Sequence, residues 1–246
     1  KDQMAKTAQL SDFDESLYKV FEESSAEKET KEYYLIATSE QPISCLYSDE
    51  WLEPKELPIK YAGFSTCFRK ESGASGRDVW GIFRVHQFEK VEQFVFTAPD
   101  KSWKMHEEMT RCSEEFLQAL GLSYQVVNIV SGALNDAAAK KHDIEAWFPG
   151  YETYRELVSC SNCTDYQARA IGTRWRNPDK TDKERKYVHM LNSTLCATTR
   201  TLCCILENYQ TTEGVIVPEP LRPYMGGLDF IPYVKELAND EHKKAK

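Results

Sequence analysis

The stretch at residues 64–97, FSTCFRKESGASGRDVWGIFRVHQFEKVEQFVFT, decides the fold class. It predicts two strands, over residues 64–71 and 82–97, joined by a flexible loop that contains two glycines. Along the second strand, Glu92, Phe94 and Phe96 fall on one face, whereas Val91 and Val95 fall on the other. The stretch therefore predicts a hairpin inside a sheet, with a connecting loop that can move.

Two helices are predicted on the carboxyl-terminal side of this hairpin. The first has apolar residues at gaps of four, three, four and four, which trace one helix face before a typical terminating glycine, Gly121. These residues are Met105, Met109, Cys112, Phe116 and Leu120. The second has a stripe of the same kind, formed by Leu195, Thr199, Leu202 and Leu206.

Shorter segments complete the prediction. Strands are expected at residues 33–37, around 123–130, at 155–160 and at 187–192, and a helix start at 38–42. The polar residues 22–32 indicate a surface loop, and residues 240–246 a frayed tail. Because strands outnumber helices and few strand–helix–strand alternations occur, we expect an α+β fold with a largely antiparallel β-sheet flanked by helices.

Composition excludes several classes of protein. The chain has 246 residues and a formal net charge of -8, which argues against coating nucleic acid by bulk charge but not against a local site. No apolar run approaches the roughly 20 residues of a membrane helix. The first thirty residues lack the apolar core of a secretory signal, so we expect the eight cysteines to be mostly buried, reduced thiols.

Charged and aromatic residues gather around the hairpin. Alternation places Arg69 and Glu71 on one face at the end of the first strand. Such a pair is usually a surface ion pair, but Arg84 and Phe88 add a second cation and an aromatic ring on the returning strand. A cation for phosphate, a ring for a base and a carboxylate for a polar edge are what nucleotide binding requires.

Other candidate groups lie further along the chain. Glu156 and Ser159 offer oxygen ligands of the kind that Mg²⁺ takes beside phosphate oxygens. Arg200 is either a cation for a distal phosphate or a solvated helix residue. His86 and His189 are candidate acid–base groups, although a histidine in a strand is more often a hydrogen-bonded part of the scaffold.

Taken together, five segments resemble the seryl-tRNA synthetase family of class II aminoacyl-tRNA synthetases, in its eukaryotic cytosolic form. The segments are TSE at 38–40, FRKE at 68–71, VHQFEKVEQF at 85–94, ELVSCSN at 156–162, and LNST at 191–194 followed by Arg200. The resemblance runs in order from about residue 8 to residue 225. The FRKE pattern alone marks the class, whereas the combination is specific to the seryl family.

The resemblance implies a role for each candidate in ATP binding. Arg69 would bind the α-phosphate and the serine carboxylate, Glu71 the adenine amino group, and Arg200 the γ-phosphate and the base. Phe88 would stack beneath adenine, and Glu156 with Ser159 would hold Mg²⁺. The same family pattern places the following residues along the ATP site: Lys70, Arg84, Val85, His86, Gln87, Leu157 and Val158.

The resemblance also implies the amino-acid pocket and the activity. Glu92 would pair with the serine ammonium and Thr194 would bind the serine hydroxyl, with Thr38, Glu40 and Asn192 beside them. The implied reaction is ATP-dependent formation of seryl-adenylate and transfer of serine to tRNA-Ser, and to tRNA-Sec, in the cytoplasm. Residues 1–239 would be the catalytic domain, without the tRNA-binding coiled-coil arm and first motif of the family, and the intact protein a homodimer.

Three alternatives remain open from the sequence. A threonyl- or prolyl-type synthetase shares the nucleotide motifs but not the serine pocket. A paralogue that has lost catalysis would serve as a binding partner, although Arg69, Arg200 and Glu156 are all present. Transfer of the activated amino acid to a carrier protein is the third.

The basic segment 174–186 is either an acceptor-stem contact or a solvated loop, and a run of charged residues is usually a solvated loop.

Overall fold

The computed structural model describes residues 1–7, 15–23, 30–71, 76–79, 81–179, 181 and 186–235. Residues 72–75 of the predicted glycine loop and the tail at 240–246 lie outside the described residues. The helices are α1 (Asp2–Lys6), α2 (Glu40–Ser44), α3 (Ser102–Ala119), α4 (Tyr166–Ile171) and α5 (Thr198–Tyr209). The strands are β1 (Lys19–Glu23), β2 (Thr30–Tyr34), β3 (Trp51–Leu52), β4 (Ile59–Phe68), β5 (Gln87–Thr97), β6 (Tyr124–Asn128), β7 (Lys140–Phe148), β8 (Thr153–Asn162), β9 (Arg174–Trp175), β10 (Lys186–Tyr187), β11 (His189–Ala197), β12 (Gly214–Ile216) and β13 (Phe230–Pro232). Short 3₁₀ turns occur at Pro54–Glu56, Gly76–Val79, Pro99–Lys101, Ser131–Ala133 and Glu219–Met225.

A six-stranded sheet forms the centre of the molecule. Its strands lie in the order β4-β5-β11-β8-β7-β6, and each neighbouring pair is antiparallel. Smaller sheets lie around it: the hairpins β1-β2 and β12-β13, and the set β10-β9-β3. The predicted α+β class with an antiparallel sheet is confirmed. The predicted loop at 22–32 is wrong at both of its ends, which belong to the hairpin of β1 and β2.

Helix α3 covers one face of the central sheet. Met105 and Met109 are buried in a cluster with Val95 of β5 and Leu191 of β11. The predicted helix and its terminating glycine are confirmed, since Gly121 has φ +68° and donates its backbone N–H to the Gln118 carbonyl. The predicted stripe is partly wrong, because Cys112 is exposed and Ser113 takes its place against the sheet.

Helix α5 begins three residues later than its predicted stripe. Leu195 belongs to β11, and the buried positions of α5 are Thr201, Cys204 and Ile205. Leu202 and Leu206 are exposed, so the predicted apolar face is not the face that packs. The hydrophobic pattern alone did not identify this face, because two of its three buried residues are a threonine and a cysteine.

The two faces of β5 have different roles. The odd-numbered side chains face α3, where Gln93 Nε2 donates to Ser113 Oγ at 3.0 Å. The even-numbered side chains Phe88, Lys90, Glu92 and Phe94 lie on the other face, and burial increases along the strand from its amino end. That alternation places charged residues on the sheet surface opposite α3, where the candidate site lies.

Candidate active site

A cleft of ≈ 390 Å³ opens on the sheet face opposite α3. Most of the side chains on its walls are cationic, acidic or aromatic. The lining residues are Arg69, Glu71, Phe83, Arg84, Val85, Phe88, Lys90, Glu145, Tyr154, Arg155, Glu156, Leu157, Thr194, Ala197, Thr199 and Arg200. Residues separated by more than a hundred positions therefore meet in one place, as the nucleotide-site prediction required.

The FRKE segment enters the cleft just after β4 ends. Strand β4 stops at Phe68 rather than at residue 71, so strand alternation does not account for the shared direction of Arg69 and Glu71. The Arg69 backbone N–H still donates to the His86 carbonyl at 2.9 Å, and Glu71 then adopts a left-handed φ of +51°. Both side chains line the cleft because the backbone turns there.

An ion-pair network organises the wall beside Glu71. Arg84 Nη1 donates to Glu71 Oε2 at 2.8 Å, and its Nε donates to Asp78 Oδ2 at 3.2 Å. Arg155 Nη2 donates to the same Asp78 oxygen at 2.6 Å. These contacts, the one from Arg155 above all, hold the pKa of Asp78 below its usual range. Sequence reasoning missed Asp78 and Arg155.

Three arginines of the cleft lie over two aromatic rings. The Arg69 guanidinium lies 5.5 Å from the centre of the Phe88 ring, a cation–π distance. Arg200 lies 4.9 Å from the centre of Phe83, and Arg155 lies 4.6 Å from it. Phe83 is buried and was not among the predicted residues, although the aromatic residue next to Arg84 was a visible signal. Arg200 also donates to the Glu156 carbonyl at 3.1 Å.

A β-bulge brings the two candidate metal ligands together. Glu156 and Ser159 are an odd number of residues apart, so a regular strand would point them to opposite faces. In β8 the register shifts, because Ser159 pairs with Asp143 and Glu156 pairs with Glu145 on β7. Leu157 is the extra residue of the bulge, and Glu156 and Ser159 share one face as a result.

The donor set at the bulge fits a hard cation. The buried Asp143 Oδ1 has no hydrogen-bond partner among the described residues. Burial, together with the nearby Glu156 carboxylate, raises the pKa of Asp143 to about 6. Within the part of the chain that the structure describes, no three acidic, histidine or cysteine side chains form a ready metal centre. A magnesium ion that also takes phosphate oxygens needs no more than one or two protein ligands.

A buried polar cluster adjoins the cleft. Lys90 and Thr194 line the cleft, and Thr194 is the cross-strand partner of Glu92. Lys90 Nζ donates to Thr38 Oγ1 at 2.8 Å and forms an ion pair with Glu92. Thr38 Oγ1 in turn lies 3.1 Å from Glu92 Oε2. The predicted residues Thr38, Glu92 and Thr194 therefore do meet, and Lys90 is a member that sequence reasoning missed.

The other predicted members of the pocket lie beside this cluster. Glu40 Oε1 accepts a hydrogen bond from Gln167 Nε2 at 2.9 Å, and Asn192 Nδ2 lies 3.6 Å from Cys163 Sγ. Both residues are buried. Five of the predicted ATP-site residues do not line the cleft: Lys70, His86, Gln87, Val158 and Ser159. The position of Ser159 depends on the bulge described above.

The two histidines proposed as acid–base candidates lie outside the cleft. His86 Nδ1 is 3.1 Å from the Tyr18 hydroxyl, and His189 Nδ1 is 2.8 Å from Ser102 Oγ. Burial lowers the pKa of His189, which favours its neutral form at pH 7. The scaffold interpretation fits both residues better than a catalytic one.

The absence of a side chain at Gly63 lets the TSE segment approach the sheet. A Cβ atom at this position would lie 2.7 Å from both Ser39 Oγ and Ile43 Cδ1. Ser39 stands at the amino end of α2 but makes no side-chain cap, and its hydroxyl donates instead to the Gly63 carbonyl at 3.5 Å. The helix start was predicted from capping hydroxyls, whereas these hydroxyls contact β4 and β5.

We expect Gly63→Ala to destabilise the chain by about 1–3 kcal/mol, the usual cost of forcing extra volume into a packed site. The measurement is urea unfolding followed by circular dichroism. Gly132→Ala is the matched control, since a Cβ there meets nothing within 4 Å. Equal stability of the two variants would show that α2 is not pressed against β4.

Glu40 gives the folded chain a pH-dependent stability. Burial, and then the charge of Glu92, raises the pKa of Glu40 from 4.5 to about 7. A raised folded-state pKa means that stability is lost as the pH rises from 4.5 to 7, because the unfolded chain releases the proton first. Relative to Glu40→Gln, we expect the free energy of unfolding of the unmodified chain to fall by up to about 3 kcal/mol over that range. Paired urea titrations at pH 4.5 and 8 measure this, and a constant difference would contradict it.

Comparison with known proteins agrees with this geometry. The family model described as tRNA synthetase class II core domain (G, H, P, S and T) matches residues 18–209. The chain belongs to the class II tRNA synthetase core family. The matched range contains the whole cleft and its arginines.

Within this family, the chain is similar to serine--tRNA ligases. The chain is 65% identical over 235 residues to the cytoplasmic serine--tRNA ligase of Dictyostelium discoideum, covering 96% of this chain and 51% of that one. The cytoplasmic serine--tRNA ligase of Schizosaccharomyces pombe is 61% identical, with coverage of 100% and 54%. The chain therefore spans about half the length of these curated relatives. The resemblance inferred from the five motif segments is confirmed.

Solved structures give the same result. The cytoplasmic serine-tRNA ligase of Naegleria fowleri, solved with AMP, is 60% identical with a TM-score of 0.88, covering 96% of this chain and 54% of that one. The seryl-tRNA synthetase of Pyrococcus horikoshii, solved with ATP, is 45% identical with a TM-score of 0.82 and coverage of 95% and 50%. No helix in the described ranges of this class II core is long and apolar enough to cross a membrane.

Proposed function

We propose that this class II core activates L-serine with ATP to form seryl-adenylate and transfers the seryl group to tRNA-Ser, and to tRNA-Sec. One observation carries the proposal. The cleft that holds Arg69, Arg84, Arg200 and Phe88 is continuous, through Lys90 and Thr194, with the buried cluster around Glu92. A nucleotide site and an amino-acid site therefore share a wall. The similarity to serine--tRNA ligases, including those solved with AMP and with ATP, supports the same assignment.

In the proposed reaction the serine carboxylate attacks the α-phosphorus of ATP, and pyrophosphate leaves with the bridging oxygen. The carboxylate is already a nucleophile, so no general base is required. Arg69 neutralises charge at the α-phosphate and aligns the carboxylate, while Glu71 and Phe88 hold the adenine. Arg200 binds the distal phosphates. Glu156 and Ser159 would hold Mg²⁺, which adds further neutralisation of phosphate charge when it is bound.

Serine selection is assigned to the buried cluster. Glu92 pairs with the ammonium, and Thr194 binds the hydroxyl, with Thr38, Glu40 and Asn192 completing the pocket. Alanine leaves the hydroxyl partner unsatisfied, which costs about 1–3 kcal/mol. A methyl group alone is worth only about 1–3 kcal/mol in selectivity, so threonine must be rejected by a closed pocket.

We also propose that residues 1–239 form the catalytic domain of a cytoplasmic homodimer.

The test is serine transfer to RNA. The chain is fused to the part of the Dictyostelium relative that it does not cover, and this chimera is incubated with ATP, labelled serine and total tRNA. We expect acid-precipitable label that ribonuclease removes and that requires ATP. Label that stays on protein after ribonuclease treatment would support transfer to a carrier protein instead. Absence of any label would contradict the proposed transfer of the seryl group to tRNA.

A further inference from the structure

Lys90 is a buried lysine with no assigned role in the proposed reaction. It lies on β5 between Phe88 and Glu92 on the cleft face, and it is 6% exposed. A buried ammonium is unfavourable unless it is paired and hydrogen-bonded. Its position therefore needs an explanation in the groups that it contacts.

Those groups are two residues of the proposed serine pocket. The Lys90 ammonium donates to Thr38 Oγ1 at 2.8 Å and is paired with Oε2 of Glu92. Thr38 Oγ1 donates to Glu92 Oε2 at 3.1 Å. The three side chains form a closed triangle, in which the lysine fixes the direction of the Thr38 hydroxyl proton.

Both contacts to Glu92 use the same carboxylate oxygen. Between the described residues, no hydrogen bond or ion pair reaches Oε1 of Glu92. An ionised carboxylate has about four lone-pair directions, so this oxygen retains its capacity to accept. The described contacts hold the carboxylate through Oε2, beside Lys90 and Thr194, which line the cleft.

Charge balance in the cluster agrees with this arrangement. Glu40 and Glu92 are both buried, and Lys90 contributes a positive charge beside them, with Lys141 acting on Glu40 as well. Without Lys90, the Glu92 carboxylate would be buried without its ion-pair partner and without the contact that fixes Oε2.

We infer that Lys90 is a positioning residue for the amino acid: it fixes Oε2 of Glu92 and the Thr38 hydroxyl so that Oε1 of Glu92 is presented to the α-ammonium of the substrate. This inference rests on the proposed function. Lys90 acts through Glu92 and does not itself take part in bond making. Its loss must therefore affect serine binding, and must do so only while a carboxylate stands at position 92.

The test is a double-mutant cycle in the chimera, measured as serine-dependent ATP–pyrophosphate exchange. Lys90→Met should raise the serine KM about 10- to 100-fold, the range for loss of a charge-assisted contact, and leave the ATP KM within about twofold. In the Glu92→Gln background the same change should alter the serine KM by less than about threefold. Lys60→Met is the matched control, because Lys60 pairs with Glu108 on the exposed surface.

Lys90→Arg separates positioning from simple charge compensation and covers the case in which Lys90→Met does not fold. Arginine keeps the charge but has a longer, planar head. We expect thermal unfolding close to that of the unmodified chimera together with a raised serine KM. A serine KM unchanged in Lys90→Arg and in Lys90→Met would overturn the inference, as would a full Lys90 effect in the Glu92→Gln background. If the unmodified chimera shows no serine-dependent exchange, the proposed function itself fails, and the inference with it.

Discussion

Arg69→Ala should abolish serine-dependent ATP–pyrophosphate exchange, with a loss in kcat of about 10³-fold or more. The Arg69 guanidinium lies over Phe88 at the wall of the cleft, and its Nε is 3.4 Å from the Ala37 carbonyl, so the cation is held in place before substrate binds. In adenylation, negative charge grows on the α-phosphate. A fixed cation in a partly dry site stabilises that charge more than water does.

The control for this variant is Arg174→Ala. Arg174 also lies over an aromatic ring, Trp51, at 5.6 Å, but it is not part of the cleft. We expect its exchange rate to match that of the unmodified chain. Near-normal kcat in Arg69→Ala would refute the placement of the α-phosphate beside Arg69.

Thr194→Ala should raise the serine KM by about 10- to 100-fold and change the ATP KM far less. Thr194 is 8% exposed, lines the cleft and lies directly across from Glu92 in the β5–β11 pairing. Its hydroxyl is thus within the same small region as the carboxylate assigned to the serine ammonium. Loss of this hydroxyl would leave the serine hydroxyl without its partner.

Thr194→Ser keeps the hydroxyl and removes one methyl group, so its serine KM should stay within about fivefold of normal. Exchange with alanine is measured in parallel, because the Ala variant should discriminate less between serine and alanine. Equal changes in the KM values for serine and ATP would show that Thr194 supports the sheet and does not read the substrate.

The face of β5 that carries the site could be predicted from the sequence. Alternation is a local property of a strand, and it correctly placed Glu92, Phe94 and Phe96 together. Strand β7 shows the same alternation, since Ile144, Ala146 and Phe148 are buried and the residues between them are less buried. Roles within the cleft came from the family resemblance and not from alternation.

Other features depend on contacts between distant segments. The β-bulges at Leu157 and Leu195 reset which residues share a face, and nothing in the apolar pattern marks either position. Lys90 has the appearance of a surface residue, since Glu89 precedes it in the sequence, but it is buried because Thr38 and Glu92 supply its partners. Asp78 and Arg155 meet across 77 residues of sequence.

The most direct test of serine activation is ATP–pyrophosphate exchange with serine, threonine, alanine and glycine in parallel, on the 246-residue chain and on the chimera. We predict exchange that depends on serine and is weak with the other three amino acids, at least in the chimera. Exchange at comparable rates with threonine or alanine would contradict the assignment of the pocket. A chimera that exchanges with none of the four would contradict the adenylation site, and the interpretation as a non-catalytic binding partner would then be preferred.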